Sequence, residues 1–522
     1  MVKRAGGALL LSVTIDHQSP RSISSQLHGA LRDLILAGGI GVGERLPASR
    51  TLARELGLSR TTVIEAFDRL TAEGLIESRV GAGAFVSATL ELPRPRPAAD
   101  RAVAPPVASL AAPPALAKVM TQAVERFAPR PRLPSAARAF TTGLPAFEAF
   151  PVAHWARLSA RHWRSARSDV MGYGEPFGHA PLRRAIAQHL RANRGIACDT
   201  AQVFIVAGAQ QAFQLIGAML LDPGDPVWFE NPGAIGARNS LIAAGAELVP
   251  VPVDEQGLRV DEGLLLAPQF RLAFVTPSHQ QPLGSVMSLA RRFALLQAAE
   301  SAGAWIIEDD YDGEFSFGGP PLPTLQSVDA TGRVIHVGTF SKSLFPSLRL
   351  GYVLAPPALV QALEAIMSRL MHGVPTHTQA VVAEFIEEGH FAAHLRRMRR
   401  LYAERHEALC QAAARQLAGR LQIVPSASGL HTVGRLADAP TAAGRSPAAG
   451  GADEAALVAA ADRQGITLSA IGRFAIAPVA ARGVVLGFGG VAPAQIERGV
   501  EVLAQVLDGM PPQRPLPARA SR

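Results

Sequence analysis

The chain has 522 residues, of which 48% are hydrophobic, and a net charge of +8; we therefore expect two or more domains, and the charge is compatible with a polyanionic partner. No uninterrupted run of about twenty apolar residues occurs, which excludes a typical membrane-spanning helix. The two cysteines, Cys198 and Cys410, are too few for a disulfide framework or a zinc site, and they fit a reducing cytoplasm.

The N-terminal residues 1–11 are only weakly similar to a signal peptide, and we interpret them as a loose leader.

Residues 19–88 are charged and periodic. Apolar residues recur at helical spacing from Ile23 to Ile35 and predict a first helix. A second helix is expected from Ser49 to Leu56, and Ser59 has the side chain of an N-cap for a third. The core face of this third helix would consist of Val63, Phe67 and Leu70.

The short turn between the second and third helices predicts a helix-turn-helix, a motif that places the start of its second helix in the DNA major groove. The side chains at that start would face phosphates and base edges: Ser59, Arg60, Thr61 and Thr62. Residues 74–86 predict two strands around a glycine turn, which would form a wing. The alternative is a small three-helix interaction module that does not bind DNA.

Residues 19–88 resemble the winged helix-turn-helix domain of GntR-family regulators, a mostly helical α+β fold. The resemblance rests on a basic residue after Leu46-Pro47, on the run Ser59 to Val63, and on the wing from Gly81 to Val86. It implies that double-stranded DNA is the partner. The implied DNA contacts are Arg50, Arg60, Thr61, Thr62 and Gly81.

Residues 89–135 are rich in proline, alanine and arginine and cannot bury a core, so we expect a semi-extended linker. A short helix is possible within it, around residues 115–127. Residues 136–510 then alternate apolar strands with helices, which predicts a mostly parallel α/β domain. The predicted strands are Val203–Val206, Val227–Glu230, Leu272–Thr276, Trp305–Glu308, Val334–Val337 and Leu350–Leu354. Residues 511–522 are interpreted as a disordered tail.

Lys342 is one of only three lysines in a chain that otherwise uses arginine. It follows an apolar strand in the run Gly338 to Ser343. A guanidinium can replace a lysine as a charge, but it is a poor nucleophile towards a carbonyl group. A primary amine at this turn therefore favours covalent chemistry, most plausibly a Schiff base with pyridoxal 5'-phosphate. The alternative is a surface lysine without a chemical role.

Other polar residues at strand ends supply what this cofactor needs. Asp309 follows the fourth predicted strand and would keep the pyridine nitrogen protonated, and Tyr311 can reach the phenolic oxygen. Ala209 and Gln210 open a helix after the first strand, where backbone N–H groups form a phosphate site. Arg349 is a candidate bidentate partner for the phosphate. Two hydroxyl groups are added by Thr339 and Ser341.

Together these motifs resemble the fold type I aminotransferase core, and more narrowly the MocR/GabR-type regulators, in which a GntR-like domain is fused to an aminotransferase-like domain. The resemblance implies that Lys342 is the Schiff-base lysine, Asp309 the pyridinium partner and Tyr311 the phenolate donor. The implied phosphate cup consists of Arg349, Thr339, Ser341 and Gln210. It also implies a homodimer in which Tyr173 enters the neighbouring subunit's site.

Three positions depart from the family pattern. Ala234 replaces a tyrosine that often follows Pro-Gly, and Gln281 stands where an aromatic residue or asparagine is usual, although its amide could bond the phenolic oxygen. Val485 occupies the place of the arginine that binds the substrate carboxylate. We therefore expect a transcriptional regulator that senses a vitamer, an amine or an amino acid. A working aminotransferase with a DNA-binding domain, and a regulator whose pocket has lost the cofactor, remain the alternatives.

Overall fold

The computed structural model describes residues 13–79, 83–88, 117–129, 136–164, 168–319, 322–436 and 451–510. The chain divides into two compact units, Met1–Ala115 and Leu116–Arg522. Among the described residues, no helix combines the length and the apolar character needed to cross a membrane.

The small unit has the predicted winged helix-turn-helix. Its elements are α1 (Ile23–Leu36), α2 (Ser49–Leu56), α3 (Arg60–Ala72), β1 (Ile76–Arg79) and β2 (Gly83–Val86). Gly57 ends α2 with φ of 65°, a left-handed conformation that favours glycine. The Ser59 side chain accepts a hydrogen bond from the Thr62 N–H and so caps α3. One core packs the helices together through Leu27, Leu31, Ile35, Val63 and Leu70.

The large unit contains fourteen helices in its described residues. They are α4 (Lys118–Arg126), α5 (Val152–Trp163), α6 (Ser168–Met171), α7 (Ala180–Arg194), α8 (Ala209–Leu220), α9 (Ile235–Ala243), α10 (Val260–Leu266), α11 (Leu289–Ala302), α12 (Phe340–Ser343), α13 (Pro357–Leu370), α14 (Thr376–Glu387), α15 (His390–Gln416), α16 (Gly451–Arg463) and α17 (Pro493–Asp508).

The strands of the large unit form two sheets. They are β3 (Val203–Val206), β4 (Pro226–Asn231), β5 (Glu247–Asp254), β6 (Gly257–Leu258), β7 (Leu272–Val275), β8 (Trp305–Asp310), β9 (Val334–Thr339), β10 (Gly351–Leu354), β11 (Leu421–Ile423), β12 (His431–Leu436), β13 (Ser469–Ala470) and β14 (Gly483–Gly487). The eight-stranded sheet has the order β3-β10-β9-β8-β7-β4-β5-β6, and the second, antiparallel sheet has the order β11-β12-β14-β13.

The large sheet confirms the predicted α/β fold. Strands β3, β9, β8, β7, β4 and β5 run in one direction, whereas β10 and β6 are antiparallel to their neighbours. Strands β3 and β7 are buried over their whole length, as parallel strands covered by helices on both faces should be. The carboxyl ends of the parallel strands lie at one edge of the sheet, where ligands bind in such folds.

Strand β5 was not among the predicted strands. Its sequence contains Pro250 and Pro252, which disfavour a strand because proline cannot donate to a ladder. The structure accommodates them because β6 pairs only with Val253 and Asp254, at the end of β5.

Helix α4 lies in the stretch whose composition predicts a linker. The Ala123 side chain is buried, and Asn239 of α9 holds the residue after the helix by two hydrogen bonds. Its Oδ1 accepts from the Ala128 N–H and its Nδ2 donates to the Ala128 carbonyl, each at 2.9 Å. The large unit therefore includes residues 117–129.

Candidate functional site

The predicted DNA-binding residues of the small unit cluster at the start of α3 and on α2. Arg50, Arg60 and Thr61 have exposed side chains. Ser59 and Thr62 are joined by a hydrogen bond of 2.7 Å between their hydroxyl groups, so their side chains also hold the helix cap. Gly81 lies outside the described residues.

Arg45, which was not among the predicted residues, joins the wing to the rest of the small unit. Arg45 pairs with Phe85 of β2 in an isolated bridge, and the Arg79 guanidinium lies 4.7 Å from the centre of the Phe85 ring. At Gly83, with φ of 108°, an added Cβ would lie 3.0 Å from the Arg45 Nε. Arg45 therefore brings positive charge to the base of the wing, where Arg79 forms an ion pair of 2.6 Å with Glu77.

In the large unit, Lys342 lies on the short helix α12, directly after the carboxyl end of β9. It lines a cleft of about 1440 Å³. Its Nζ donates a hydrogen bond of 2.7 Å to the Gly143 carbonyl. Gly143 has φ of 78°, and an added Cβ would approach Nζ to 2.9 Å. The backbone beside the amine is thus open only because residue 143 is glycine.

Asp309 and Asp310 end β8 with opposite environments. Asp309 is buried, and its Oδ1 has no hydrogen-bond partner among the described residues. Burial, followed by the neighbouring Asp310, Asp312 and Glu230 carboxyl groups, raises the pKa of Asp309 well above its usual range. Burial acts in the same direction on Asp310, but Arg194, His336 and the Ser278 hydroxyl together outweigh it and hold the pKa of Asp310 below its usual value.

Tyr311 reaches the same cleft as Lys342, and its hydroxyl oxygen lies 3.0 Å from His279 Nδ1. Burial first, and then the Asp312 and Asp309 carboxyl groups, raise the pKa of Tyr311 well above 10. The phenol therefore keeps its proton and can act as a hydrogen-bond donor.

Arg349 and the start of α8 lie together at another part of the cleft. An Arg349 Nη atom donates to the Ala207 carbonyl at 3.2 Å, and an added Cβ on Gly208 would lie 3.8 Å from the guanidinium carbon. Gly208 is the N-cap of α8 and has φ of 90°. Arg349 itself has φ of 49°, an uncommon conformation for a non-glycine residue. The first N–H groups of α8, which begins at Ala209, thus have a guanidinium beside them.

The other predicted residues divide into those in the cleft and those outside it. Gln210, Ser341 and Gln281 line the cleft. Thr339 is the N-cap of α12, and its Oγ1 accepts from the Ser341 N–H at 3.2 Å. Tyr173 is 87% exposed, and its ring lies 5.8 Å from that of His372. Within this subunit, Tyr173 is not among the residues that line the cleft.

The two other departures from the family pattern are buried. Ala234 is the N-cap of α9 and is 3% exposed. Val485 on β14 also lines the cleft, and it packs in an apolar cluster with Ile235 and Phe474. The place where an arginine would bind a carboxylate is therefore apolar.

The description "Aminotransferase class I and II" matches residues 139–503, and "Bacterial regulatory proteins, gntR family" matches residues 23–86. A relative from Rhizobium meliloti, "Probable rhizopine catabolism regulatory protein MocR", is 41% identical over 94% of this chain and 95% of its own length. The chain belongs to the MocR-type transcriptional regulators.

Other similar proteins agree with this membership. The "HTH-type pyridoxine biosynthesis transcriptional regulator PdxR" of Corynebacterium glutamicum is 30% identical over 92% of this chain and 94% of its own length. Among solved structures, the α-aminoadipate aminotransferase LysN of Thermus thermophilus, complexed with N-(5'-phosphopyridoxyl)-L-leucine, has a TM-score of 0.63. It is 27% identical and covers 75% of this chain and 95% of its own. The large unit of this MocR-type regulator thus has the aminotransferase fold.

Several groups in or near the regulator's cleft had no predicted role. His279 and Asp312 stand in matched motifs, but nothing local indicates that they meet Tyr311. Gly143 and His431 reach the cleft from elements far away in the sequence, and no local pattern marks them. Glu230, buried at the end of β4, accepts hydrogen bonds from Thr276 and Gln280. Burial raises its pKa to about 7 despite these bonds.

Proposed function

We propose that the large unit binds pyridoxal 5'-phosphate through Lys342 and that the regulator uses this site to sense an amine or a vitamer. The observation that carries the proposal is the presence of two groups in the same unit: the primary amine of Lys342 and the buried carboxyl group of Asp309, one oxygen of which has no hydrogen-bond partner among the described residues. Lys342 lines the cleft, and the buried Asp309 Oδ1 has no partner among the described residues. A pyridinium N–H would supply the hydrogen bond that Asp309 Oδ1 lacks and would place a positive charge beside the carboxylate.

The opposite end of such a cofactor is a phosphate dianion, and the start of α8 fits it. The first backbone N–H groups of a helix have no intrahelical partner and attract anions. Arg349 adds a guanidinium beside Gly208, where the absence of a side chain leaves room. Ser341 and Gln210 line the same cleft and can add hydrogen bonds.

When bound, pyridoxal phosphate supplies an aldehyde that one amine at a time can occupy. Lys342 is the amine that this chain provides, and an effector amine would have to displace it. The released Lys342 then has a place to go, because Nζ can donate to the Gly143 carbonyl as it does in the structure. Lys342 would thus have two positions, one on the cofactor and one at the Gly143 carbonyl. An effector that favours the second position could shift the large unit between two arrangements.

The residues of the cleft support an effector without an α-carboxylate. Val485, Ile235 and Phe474 form an apolar wall. Three of the described arginines line the cleft. Arg138 is paired with Asp462 at 3.0 Å, Arg473 donates to the Pro129 carbonyl at 2.6 Å, and Arg349 lies beside the proposed phosphate site. A simple amine or a vitamer fits this wall better than an amino acid does, since an unpaired buried carboxylate is costly. The name of the relative PdxR makes a vitamer worth testing first.

We also propose that the regulator acts as a homodimer on paired DNA half-sites. Large apolar side chains are exposed near Tyr173, at α6 and the end of α13. They are Met171, which is 63% exposed, and Leu370, which is 78% exposed. Exposed apolar surface of this kind is typical of an interface. A partner subunit there would cover Tyr173.

An absorption spectrum of the purified full-length protein with added pyridoxal phosphate tests the cofactor. We expect a visible band that Lys342→Ala removes completely. Borohydride reduction should then label the peptide that contains Lys342. Lys118→Ala is the matched control, because it removes one of the other two lysines from an exposed position on α4. A band that survives Lys342→Ala, or a label on another residue, would refute the assignment.

The remaining alternative is a working aminotransferase that carries a DNA-binding unit. The apolar wall around Val485 favours the sensor, because turnover of amino acids requires a residue that binds their carboxylate group. Incubation of the cofactor-loaded protein with amino and keto acids separates the two functions. Steady production of a keto acid would support the enzyme, whereas a spectral change without keto acid would support the sensor.

A further inference from the structure

One nitrogen atom of His279 contacts two neighbours at hydrogen-bond distance. Its Nδ1 lies 2.9 Å from Asp312 Oδ2 and 3.0 Å from the Tyr311 hydroxyl oxygen. The His279 and Asp312 side chains are almost fully buried, with at most 1% of either exposed. An ionised carboxylate can only accept, so the proton of this contact belongs to His279 Nδ1. This is the tautomer with the proton on Nδ1 and the lone pair on Nε2.

The surroundings of the ring agree with this tautomer. His279 Nε2 has no hydrogen-bond partner among the described residues, as expected for a nitrogen that carries no proton. The neighbouring His431 donates from its Nε2 to the Pro282 carbonyl at 3.2 Å. Burial, and then the nearby His279, lower the pKa of His431 well below 6.5, so that ring is neutral as well. A proton on Nε2 of His279 would lack an acceptor.

The ring cannot easily turn into another orientation. At Gly429, with φ of 81°, an added Cβ would lie 2.2 Å from His279 Cε1 and 2.7 Å from Asp312 Oδ2. An added Cβ at Gly284 would lie 3.1 Å from Nε2. Backbone without side chains therefore packs close to several ring atoms of the imidazole, and Asp312 fixes which nitrogen faces Tyr311.

Because Nδ1 of His279 carries the proton, it cannot accept a hydrogen bond from the Tyr311 hydroxyl 3.0 Å away, so the hydroxyl proton of Tyr311 must point elsewhere. Tyr311 lines the cleft that also contains Lys342. We infer that His279, held by Asp312, is a positioning residue that turns the Tyr311 hydroxyl proton into the cleft, towards an anionic oxygen of the ligand bound there. This inference rests on the proposed cofactor, whose phenolic oxygen is such an acceptor.

Metal content distinguishes this arrangement from a metal site. The ligand atoms of His279, Asp312 and His431 all lie within 4.8 Å of one another, a spacing that a cation could bridge. A cation held through Nδ1 of His279 would take the place of the proton on that atom. Stoichiometric zinc or another transition metal in the purified protein would therefore overturn the inference.

The test is a double-mutant cycle on the cofactor-loaded, full-length protein. The readouts are the dissociation constant of pyridoxal phosphate and the pH at which its visible band changes. Tyr311→Phe should weaken binding about tenfold, which is the loss expected for a hydrogen bond to a charged oxygen. It should also raise the pH midpoint of the visible band, because the deprotonated form of the bound cofactor loses its hydrogen-bond donor. His279→Gln should shift both readouts in the same direction. In the Tyr311→Phe background, His279→Gln should change neither further.

His279→Asn is the matched rescue variant, because its Nδ2 can occupy the place of the imidazole Nδ1 and donate to Tyr311. We expect it to retain most of the parental affinity and pH midpoint. If His279→Gln has the same effect with Phe as with Tyr at position 311, or none with Tyr, His279 does not act through the phenol. If the parent protein shows no visible band at all, the proposed cofactor itself is wrong. The two failures are thus distinct.

Discussion

The two units of this regulator obtain their functional surfaces in different ways. In the small unit, the residues proposed to contact DNA lie on α2, at the start of α3 and in the wing, within one continuous stretch. In the large unit, the cleft gathers Gly143, Tyr311, Lys342 and His431 from separate elements. A local sequence pattern therefore specifies the first surface, whereas the second depends on the fold of the whole unit.

Within the large unit, two neighbouring residues have different expected roles, one in ligand binding and the other in the stability of the fold. Asp309 and Asp310 are consecutive and the Oδ1 of each has no partner among the described residues, yet only Asp310 pairs with a buried guanidinium, that of Arg194, through Oδ2. Since successive side chains of a strand point to opposite faces, this contrast follows from their positions on β8. We expect Asp309 to serve the ligand and Asp310 to serve the fold.

The largest expected effect is the loss of stability on Asp310→Asn. This change leaves the Arg194 charge buried without its counterion, and breaking such a pair typically costs about 3 to 5 kcal/mol. Asp309→Asn is the matched comparison. It should leave the free energy of unfolding unchanged or raise it, because it removes an unsatisfied buried carboxyl group, and it should weaken pyridoxal phosphate binding.

Urea unfolding and cofactor titration of both variants measure the two effects. The comparison fails if Asp309→Asn destabilises the large unit as much as Asp310→Asn does. It also fails if both variants bind pyridoxal phosphate with the parental affinity.

A smaller effect is expected from the pH dependence of Glu230. Its pKa of about 7 in the folded protein lies above the ordinary 4.5, so the folded state holds a proton that the unfolded chain releases. This contribution to stability is complete below about pH 4.5 and is lost as the pH rises through 7. The loss is on the order of 3 kcal/mol.

Glu230→Gln cannot ionise, so its free energy of unfolding should rise relative to the parent between pH 5 and pH 8. Chemical unfolding across this range provides the measurement. Glu300→Gln, at an exposed position on α11, is the control and should give a pH profile parallel to that of the parent. A Glu230→Gln profile that is also parallel would show that Glu230 ionises normally in the fold.

The same contrast explains how much of the molecule could be predicted from its sequence. Helix periodicity, Gly57 and the Ser59 cap determine the small unit locally, and the bounds of α2 were predicted correctly. Six strands of the large sheet were predicted from apolar runs, but β5 was not, since its prolines disfavour a strand unless the adjacent edge is unpaired. The His279–Asp312–Tyr311 contact could not be predicted, because Asp312 and His279 meet only when β7 and β8 pair in register.

The smallest effect should come from the small unit, where Arg60→Ala removes an exposed guanidinium from the start of α3. We expect operator affinity to fall by about 1 to 3 kcal/mol if Arg60 contacts a base, and its salt dependence to weaken if Arg60 contacts a phosphate. Arg69→Ala, near the other end of α3, is the matched control and should bind as the parent does.

Titrations of operator and random DNA at several salt concentrations distinguish the two contacts, since a base contact favours operator over random DNA. Thermal unfolding of the small unit should not change, because the Ser59 cap and the core residues of α3 stay in place. Equal affinity of Arg60→Ala and the parent for both DNAs would remove Arg60 from the DNA-binding surface.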